Sequence, residues 1–167
     1  TRAELVCRSQ MPAIVAYLRE FVPGFENCYI ISAGSMMGVR ETRHFKGGYV
    51  LNEQDILEAR VFEDWVVRGA HFNFDVHNLT GSSLDKTGIQ KEWKQKNTYT
   101  IPYGCFCSNT ISNLMMAGRN ISASKLAMGS TRVMGTCAVG GQAAGTAAAM
   151  AIEKGLLPRD IGAHMRE

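Results

Sequence analysis

Two stretches near the end of the chain have residue compositions typical of segments whose main chain binds a ligand. Residues 114–117 are a short apolar run between Asn113 and Gly118, which is typical of a buried strand that stops at a turn. Residues 133–152 contain no charged side chain, and glycine, alanine and threonine outnumber large hydrophobic residues there. Small residues let a ligand approach the main chain, and the first turn of a helix offers unpaired N–H groups and partial positive charge. The two stretches therefore predict a turn and a helix entry that bind an anionic or carbonyl-bearing ligand.

The uncharged stretch allows a second interpretation, because it is long enough to span a bilayer. Gly141-Gln-Ala-Ala-Gly145 also has the small-xxx-small pattern of paired membrane helices. Alanine and glycine are only weakly hydrophobic, however, and Thr136, Gln142 and Thr146 interrupt the stretch. A helix buried against a sheet, ending at Gly155, is therefore favoured, and we expect no membrane partner.

Further motifs occur in a fixed order along the chain. They are Gly38-Val-Arg40-Glu-Thr-Arg43, Tyr49-Val-Leu, Glu53-x-Asp55-Ile-Leu, Ile101-Pro102-Tyr103, Asn113-Leu-Met-Met-Ala-Gly-Arg119, Gly129-Ser130-Thr-Arg132-Val133-Met134, Thr136-Cys137 and Gly141-Gln-Ala-Ala-Gly145-Thr-Ala-Ala. With these motifs, the chain resembles the C-terminal part of the FAD-dependent oxidoreductase family, of the type with two dinucleotide-binding domains. The resemblance runs from about residue 38 to residue 160, and residues 1–25 also look like family sequence. Several motifs in order make it more specific than any single one.

The resemblance implies an α/β fold. In this family the nucleotide-binding fold is assembled from two distant stretches, and the C-terminal one returns a last strand and a helix to the flavin. Residues 113–167 would be the C-terminal segment of a Rossmann-like FAD-binding domain, and residues 1–112 a partial substrate-side and connecting region. The chain has no Gly-x-Gly-x-x-Gly sequence. We therefore expect a C-terminal fragment whose partner is the N-terminal FAD-binding half of the same protein.

The resemblance also implies which residues contact FAD. Gly118 would end a strand beneath the cofactor, where a side chain would collide with it, and Arg119 would donate to phosphate. Ser130 and Arg132 precede the long helix, where they could face cofactor oxygens or an anionic substrate group. The helix entry would direct N–H groups at the pyrimidine edge of the flavin from Val133, Met134, Gly135 and Thr136. On the residues alone, a surface arginine in a glycine turn explains Gly118 and Arg119 equally well.

The substrate side is defined less sharply. In the intact protein, a hydride would move between a small organic substrate and the flavin, and the isolated fragment would be inactive. Arg40 could hold a substrate carboxylate, or pair instead with Glu41 or Glu53, and Tyr103 could orient a carbonyl or hydroxyl. We predict Arg40 and Tyr103 as the catalytic residues, in preference to histidines 71 and 77. The alternatives are a phosphate- or nucleotide-binding α/β module without redox chemistry, and a structural or assembly role.

Composition agrees with an ordinary globular protein piece. The 167 residues fit one domain, and the net charge of +3 is too small and too scattered to indicate nucleic acid. Five cysteines without framework spacing favour free thiols and a reducing compartment such as the cytoplasm. Cys105-Phe-Cys107 has no second pair at ligand spacing, which favours buried strand residues over a metal site.

Local patterns predict the elements that must position these residues. Apolar spacing predicts a helix over residues 3–21, with Pro12 as a kink or break. Asn52 and Asp55 form the pattern of a capping box that starts a helix over residues 53–67. Strands are predicted at residues 27–32, 45–51 and 71–77, a hairpin-like strand region at 98–107, and a polar excursion between residues 78 and 97.

Overall fold

The computed structural model describes residues 2–76 and 94–164, arranged as two compact units, one up to Arg40 and one from Glu41 onward. The elements in chain order are helix α1 (Arg2–Phe21), helix α2 (Glu53–Leu57), strand β1 (Trp65–Ala70), strand β2 (Tyr99–Pro102), a first 3₁₀-helix (Tyr103–Cys105), helix α3 (Lys125–Thr131), helix α4 (Met134–Lys154) and a second 3₁₀-helix (Pro158–His164). The predicted mixed α/β class is confirmed. The predicted polar excursion falls largely on residues 77–93, which lie outside the described residues.

The first unit is built on α1, which runs through Pro12 without interruption and buries none of its residues. Arg8 donates hydrogen bonds from Nη2 to the carbonyls of Gly34 (2.9 Å) and Ser35 (3.0 Å), and the Glu4 carboxylate accepts one from the Met37 amide. These bonds hold residues 34–37 along the helix. The predicted strand at residues 27–32 is wrong, because the carbonyl of Cys28 accepts from the side chain of Arg19 and no strand lies beside the segment.

The second unit has a two-stranded antiparallel sheet at its centre. Val67 of β1 lies opposite Ile101 of β2, and both side chains are buried. The hydrophobic core around this sheet also contains Leu51, Ile56, Phe74 and Phe106. The strand predicted within residues 98–107 is confirmed at Tyr99–Pro102. The strand predicted at 71–77 is wrong: the amides of Asp75 and Val76 donate to carbonyls only two residues earlier, which bends the chain into tight turns.

Helix α2 begins as the sequence predicts. The Asn52 side chain accepts a hydrogen bond from the Asp55 amide at 3.1 Å, and the Asp55 carboxylate accepts one from the Asn52 amide at 3.1 Å, completing the capping box. The helix ends at Leu57, well short of the predicted residue 67. Ala59 adopts a positive φ of 52°, which a continuing right-handed helix cannot contain.

Two further predicted strands are reduced to single bridges. Residues 45–51 contribute the pairs Gly47–Ser108 and Leu51–Ala123, and the run before Gly118 contributes only the pair Cys107–Met115. Within the described residues, no longer strand lies beside either segment. Only Gly47 and Leu51 of the first segment are buried, and residues 114–117 are half-buried, so neither segment is an inner strand.

Helix α4 packs one face onto β1 and the second 3₁₀-helix. Gly140, Ala143, Ala147 and Ala151 are its buried residues, and Gly155 ends it in the left-handed conformation at φ 62°, as predicted. A Cβ added at Gly140 would lie 2.8 Å from Cε1 of Phe106, so only glycine allows this approach. The part of the chain that the structure describes has no helix with the length and hydrophobicity needed to cross a membrane.

The two adjacent glycines of α4 give a matched test of this packing. Gly140→Ala should lower the free energy of unfolding by about 1–3 kcal/mol, because its methyl group overpacks the contact with Phe106. A Cβ at Gly141 would meet nothing within 4 Å, so Gly141→Ala should raise stability by about 0.5–1 kcal/mol through helix propensity. Urea unfolding of both variants measures the difference, and equal effects would contradict the assigned faces of α4.

Candidate cofactor site

The turn after the Met115 bridge has open space above its main chain. The Met116 amide donates to the carbonyl of Phe106 at 2.9 Å, which ties the segment to the core. Gly118 then adopts φ +98°, a conformation that side chains disfavour. A Cβ built on Gly118 would meet only the Asn120 side-chain oxygen, at 3.8 Å. The protein therefore leaves this position free for a ligand to approach the backbone.

The entry of α4 is equally accessible. Val133 is the N-cap with extended backbone angles, and no side chain caps the helix. At this end of the helix, the Cys137 amide donates to the Val133 carbonyl at 2.9 Å. Met134 is 89% exposed, and a Cβ at Gly135 would meet nothing within 4 Å. The amides of Met134, Gly135 and Thr136 thus lie at the positive end of a 21-residue helix with no side-chain acceptor from the cap.

The charge of Arg119 links the turn to the helix entry. Burial raises the pKa of the Cys137 thiol, and the Arg119 guanidinium opposes that shift because its positive charge favours the thiolate. Cys137 lies one residue beyond the exposed first turn of α4. Arg119 itself is exposed and makes no hydrogen bond or ion pair with the described residues. The guanidinium, which has no hydrogen-bond partner among the described residues, therefore acts electrostatically on the residue that follows the uncapped amides of α4.

Ser130 and Arg132 have partners within the protein. The fully buried Ser130 hydroxyl donates to the Phe72 carbonyl at 2.7 Å and lies 2.8 Å from the Tyr99 hydroxyl. The Arg132 side chain is only 7% exposed, and its Nη2 donates to the carbonyl (2.6 Å) and carboxylate (3.0 Å) of Asp75. Both side chains fasten the end of α3 to residues 72–75. Contact of either one with a cofactor stays a prediction.

Comparison with protein-family models identifies the chain. The model described as FAD dependent oxidoreductase matches residues 1–167, which is the whole length. The chain belongs to the FAD-dependent oxidoreductase family. Comparisons with curated proteins and with solved structures gave no match. FAD is therefore the cofactor of this flavoprotein, as the sequence motifs predict, and a role in redox chemistry follows from the family.

The residues around Gly118 and α4 fit FAD. Its pyrophosphate is a dianion that suits a guanidinium with no hydrogen-bond partner among the described residues, and its ring carbonyls accept hydrogen bonds from main-chain amides. The open position above Gly118 admits a flat or extended group close to the backbone. Contact of Val133, Met134, Thr136 and Arg119 with the cofactor of this FAD-dependent oxidoreductase family member stays a prediction.

The two predicted catalytic residues lie in different settings. Tyr103 is buried, and its hydroxyl donates to the Pro158 carbonyl, which joins the two 3₁₀-helices. Burial raises the pKa of this phenol well above its usual value, so Tyr103 stays protonated. Arg40 is exposed at the end of the first compact unit. The catalytic role of each in the flavoprotein stays a prediction, and of the two histidines, His71 is exposed while residue 77 lies outside the described part.

Sequence reasoning missed Asp75 and Tyr99, the partners of Arg132 and Ser130. The sequence signal for Asp75 is its place on the polar side of the alternating run from residue 71 to residue 77, a pattern that predicts a strand face. Within the described residues, 2–76 and 94–164, no group of three His, Cys, Asp or Glu side chains is arranged to hold a metal ion. Cys105 and Cys107 are buried thiols, and burial raises the pKa of Cys105 to about 12.

Tyr99 should give this protein an alkaline dependence of stability. Burial raises the pKa of Tyr99 to about 12 from an ordinary value of 10. Because the neutral phenol is favoured in the folded state, its contribution is complete below pH 10 and is lost as pH rises towards 12. Over this pH range, the unfolding free energy of Tyr99→Phe should therefore fall by about 2 kcal/mol less than that of the unmodified protein.

Urea unfolding between pH 8 and pH 12 measures this effect. Tyr17→Phe is the matched control, because the Tyr17 residue is 59% exposed and its ring contacts that of Phe21 in the same helix. The control should keep the alkaline slope of the unmodified protein. An unchanged slope in Tyr99→Phe would mean that Tyr99 does not titrate differently on folding.

Proposed function

We propose that this chain forms one side of an FAD pocket and holds the flavin for hydride exchange with a small organic substrate. The observation that supports the proposal is the pair of accessible backbone positions, the uncapped amides at the start of α4 and the open turn at Gly118, with the Arg119 charge acting on the Cys137 thiol next to the first turn. The contacts proposed for FAD come from Gly118, Arg119, Val133, Met134 and Thr136. The N-terminal half with a glycine-rich motif, and the Rossmann-like detail of the fold, stay predictions.

The chemistry of the pocket divides between cofactor and protein. FAD, when bound, accepts or gives up the hydride, and the protein orients it and excludes water. The α4 entry faces the pyrimidine edge in this proposal, where negative charge gathers on reduction. Fixed N–H dipoles and the helix dipole stabilise that charge without rearrangement, which favours the reduced cofactor. Arg119 would bind the pyrophosphate through its planar fork of donors.

Substrate contacts are assigned to Arg40 and Tyr103. Arg40 would bind a carboxylate, which implies an anionic small molecule. The Tyr103 hydroxyl donates a hydrogen bond to the Pro158 carbonyl. Its oxygen can therefore accept a hydrogen bond from a substrate hydroxyl without losing that contact.

The proposed functional division, substrate side over residues 1–112 and flavin side over 113–167, differs from the division into compact units after Arg40.

Removing the Arg119 charge tests the proposed pyrophosphate contact. Arg119→Gln in the protein expressed from its full coding sequence should weaken FAD binding by about tenfold or more, the loss expected for one charged hydrogen-bonding group. Flavin fluorescence during FAD titration measures the affinity. Arg68→Gln is the control, since Arg68 is an exposed arginine whose guanidinium lies over the Trp65 ring in β1. Equal affinities for both variants would contradict the proposal, as would a protein that takes up no FAD.

A further inference from the structure

A cavity of about 480 Å³ lies beside the two 3₁₀-helices, within the compact unit that begins at Glu41. This volume is in the range of pockets that bind small molecules. The walls come from four places in the sequence, namely Gly48, Asp64, residues 103–104 with 107–109, and residues 159 and 162–163. The residues proposed to contact FAD are not among them. The cavity is therefore separate from the proposed FAD contacts.

Hydrogen bonds hold the walls of this cavity together. The Tyr103 amide donates to the Asp64 carbonyl at 2.9 Å, and the Gly48 amide donates to the Cys107 carbonyl at 3.1 Å. The Tyr103 hydroxyl donates to the carbonyl of Pro158, the residue before the last wall segment. Each wall is thus tied to the stretch that contains Tyr103 and Cys107. A cavity whose walls are already ordered loses little conformational entropy when a ligand binds.

Two opposite charges line the cavity without pairing. Arg159 is exposed and Asp64 is half-buried, and neither side chain forms a hydrogen bond or an ion pair with another described residue. Burial raises the pKa of the Cys107 thiol in the wall, and the Arg159 charge opposes that shift, so this charge acts on the cavity. A guanidinium and a carboxylate that share a cavity without pairing are both available to a ligand.

These two charges determine which ligand the cavity favours. Arg159 attracts a simple anion while Asp64 repels it, and a simple cation meets the reverse. A molecule with both charges can pair its carboxylate with the guanidinium and its ammonium group with the Asp64 carboxylate. Tyr103 and Ala163 supply apolar wall for a hydrocarbon group. The lining therefore suits a molecule that is charged at both ends of a short polar group.

We propose that this cavity binds a small zwitterion of the free amino acid type, with its carboxylate on Arg159 and its ammonium group on Asp64. The inference goes beyond the proposed function, because it assigns a ligand to the cavity and needs no contact with FAD. Neither of the two charged residues is among those predicted from the sequence. A ligand held there would lie beside Tyr103, the residue assigned to the substrate side.

Calorimetric titration with three matched probes tests the inference on the protein expressed from its full coding sequence. The probes are racemic leucine, isocaproate, which lacks the ammonium group, and isoamylamine, which lacks the carboxylate. All three have the same hydrocarbon group, so a difference in affinity reports the charges. Leucine should bind about fivefold or more tightly than either of the other two, because only leucine pairs with both side chains.

The two charge variants should change the probe preference in opposite ways. Arg159→Gln should weaken leucine binding by about five- to tenfold and strengthen isoamylamine binding by about two- to threefold. Asp64→Asn should weaken leucine binding by a similar factor and instead strengthen isocaproate binding, because the repulsion between carboxylates is removed. Loss of fold alone would weaken every probe. Ala163→Phe should also weaken all three, since its ring fills part of the cavity, but with urea unfolding close to that of the unmodified protein.

Arg68→Gln and Glu63→Gln are the matched controls. Each removes an exposed charge of the same sign from a residue that does not line the cavity, and the Arg68 guanidinium lies over the Trp65 ring. Both variants should keep the leucine affinity within about twofold of the original. A control that changed the probe preference as much as the cavity variants would mean that net charge, and not the cavity, governs binding.

Leucine that binds no more tightly than isocaproate or isoamylamine, or no binding of any probe, overturns the inference. A charge variant that keeps the original probe preference also overturns it. If the charge variants do not fold, full leucine affinity in Ala163→Phe overturns it. A protein that takes up FAD but shows no preference for leucine leaves the proposed function standing. A protein that prefers leucine but takes up no FAD overturns the proposed function alone.

Discussion

Gly118→Val should lower the affinity for FAD by about a hundredfold or more, equivalent to about 3 kcal/mol. The backbone at Gly118 has φ +98°, which a branched side chain disfavours, and among the described residues no atom comes closer than 3.8 Å to a Cβ built there. A valine side chain would occupy that space, where FAD is proposed to lie. FAD titration of the full-length protein measures the loss.

Gly155→Val separates the backbone effect from the effect on the pocket. Gly155 also has a positive φ, 62°, and a Cβ there would meet nothing within 4 Å, but it lies at the opposite end of α4 from the proposed pocket. The variant should lose about 1–2 kcal/mol of stability and keep its FAD affinity within about twofold. If the two substitutions weakened FAD binding equally, Gly118 would not adjoin the cofactor.

Asp55→Ala should lower the free energy of unfolding by about 3 kcal/mol. The Asp55 carboxylate is 5% exposed, and it accepts hydrogen bonds from the Asn52 amide, the Tyr49 hydroxyl at 2.8 Å and Nη1 of Arg60 at 3.0 Å. Alanine would leave all three donors without this acceptor and would open the capping box of α2. Urea unfolding measures the change.

Glu58→Ala provides the comparison on the same stretch of chain. Glu58 pairs with Lys96, but the two side chains are 47% and 66% exposed, so water competes for both charges. We expect a change below about 1 kcal/mol. A loss as large as that of Asp55→Ala would show that charge alone, and not the buried network, governs stability at α2.

Signals confined to a few residues predicted the structure best. The capping box at Asn52 and Asp55, the stop at Gly155 and the long apolar helix before it were all predictable, because each depends on hydrogen bonds or packing between near neighbours. Strands were predicted less well. A strand needs a partner that may be far away in the sequence, and residues 27–32 and 71–76 have apolar patterns with no partner strand within the described part of the chain.

The same limit applies to the site. The turn at Gly118 and the helix of small residues in α4 could be predicted from the sequence, since their conformations depend on the local backbone. Ser130 and Arg132 have the right types for an anion site, but the residues that they contact lie 31 to 58 positions away. No local pattern indicates that Asp75 would hold Arg132. The residue types indicate that Ser130 and Arg132 can form hydrogen bonds and ion pairs, but only the fold shows which residues they contact.

Hydrogen exchange with and without FAD tests the central claim most directly. FAD should slow hydrogen exchange both at the amides of residues 116–120 and at those of residues 134–137, because both segments are proposed to contact the same cofactor. Amides around Gly155 should exchange at the same rate in both states. Protection of only one of the two segments, or of neither in a protein that has bound FAD, would contradict the account.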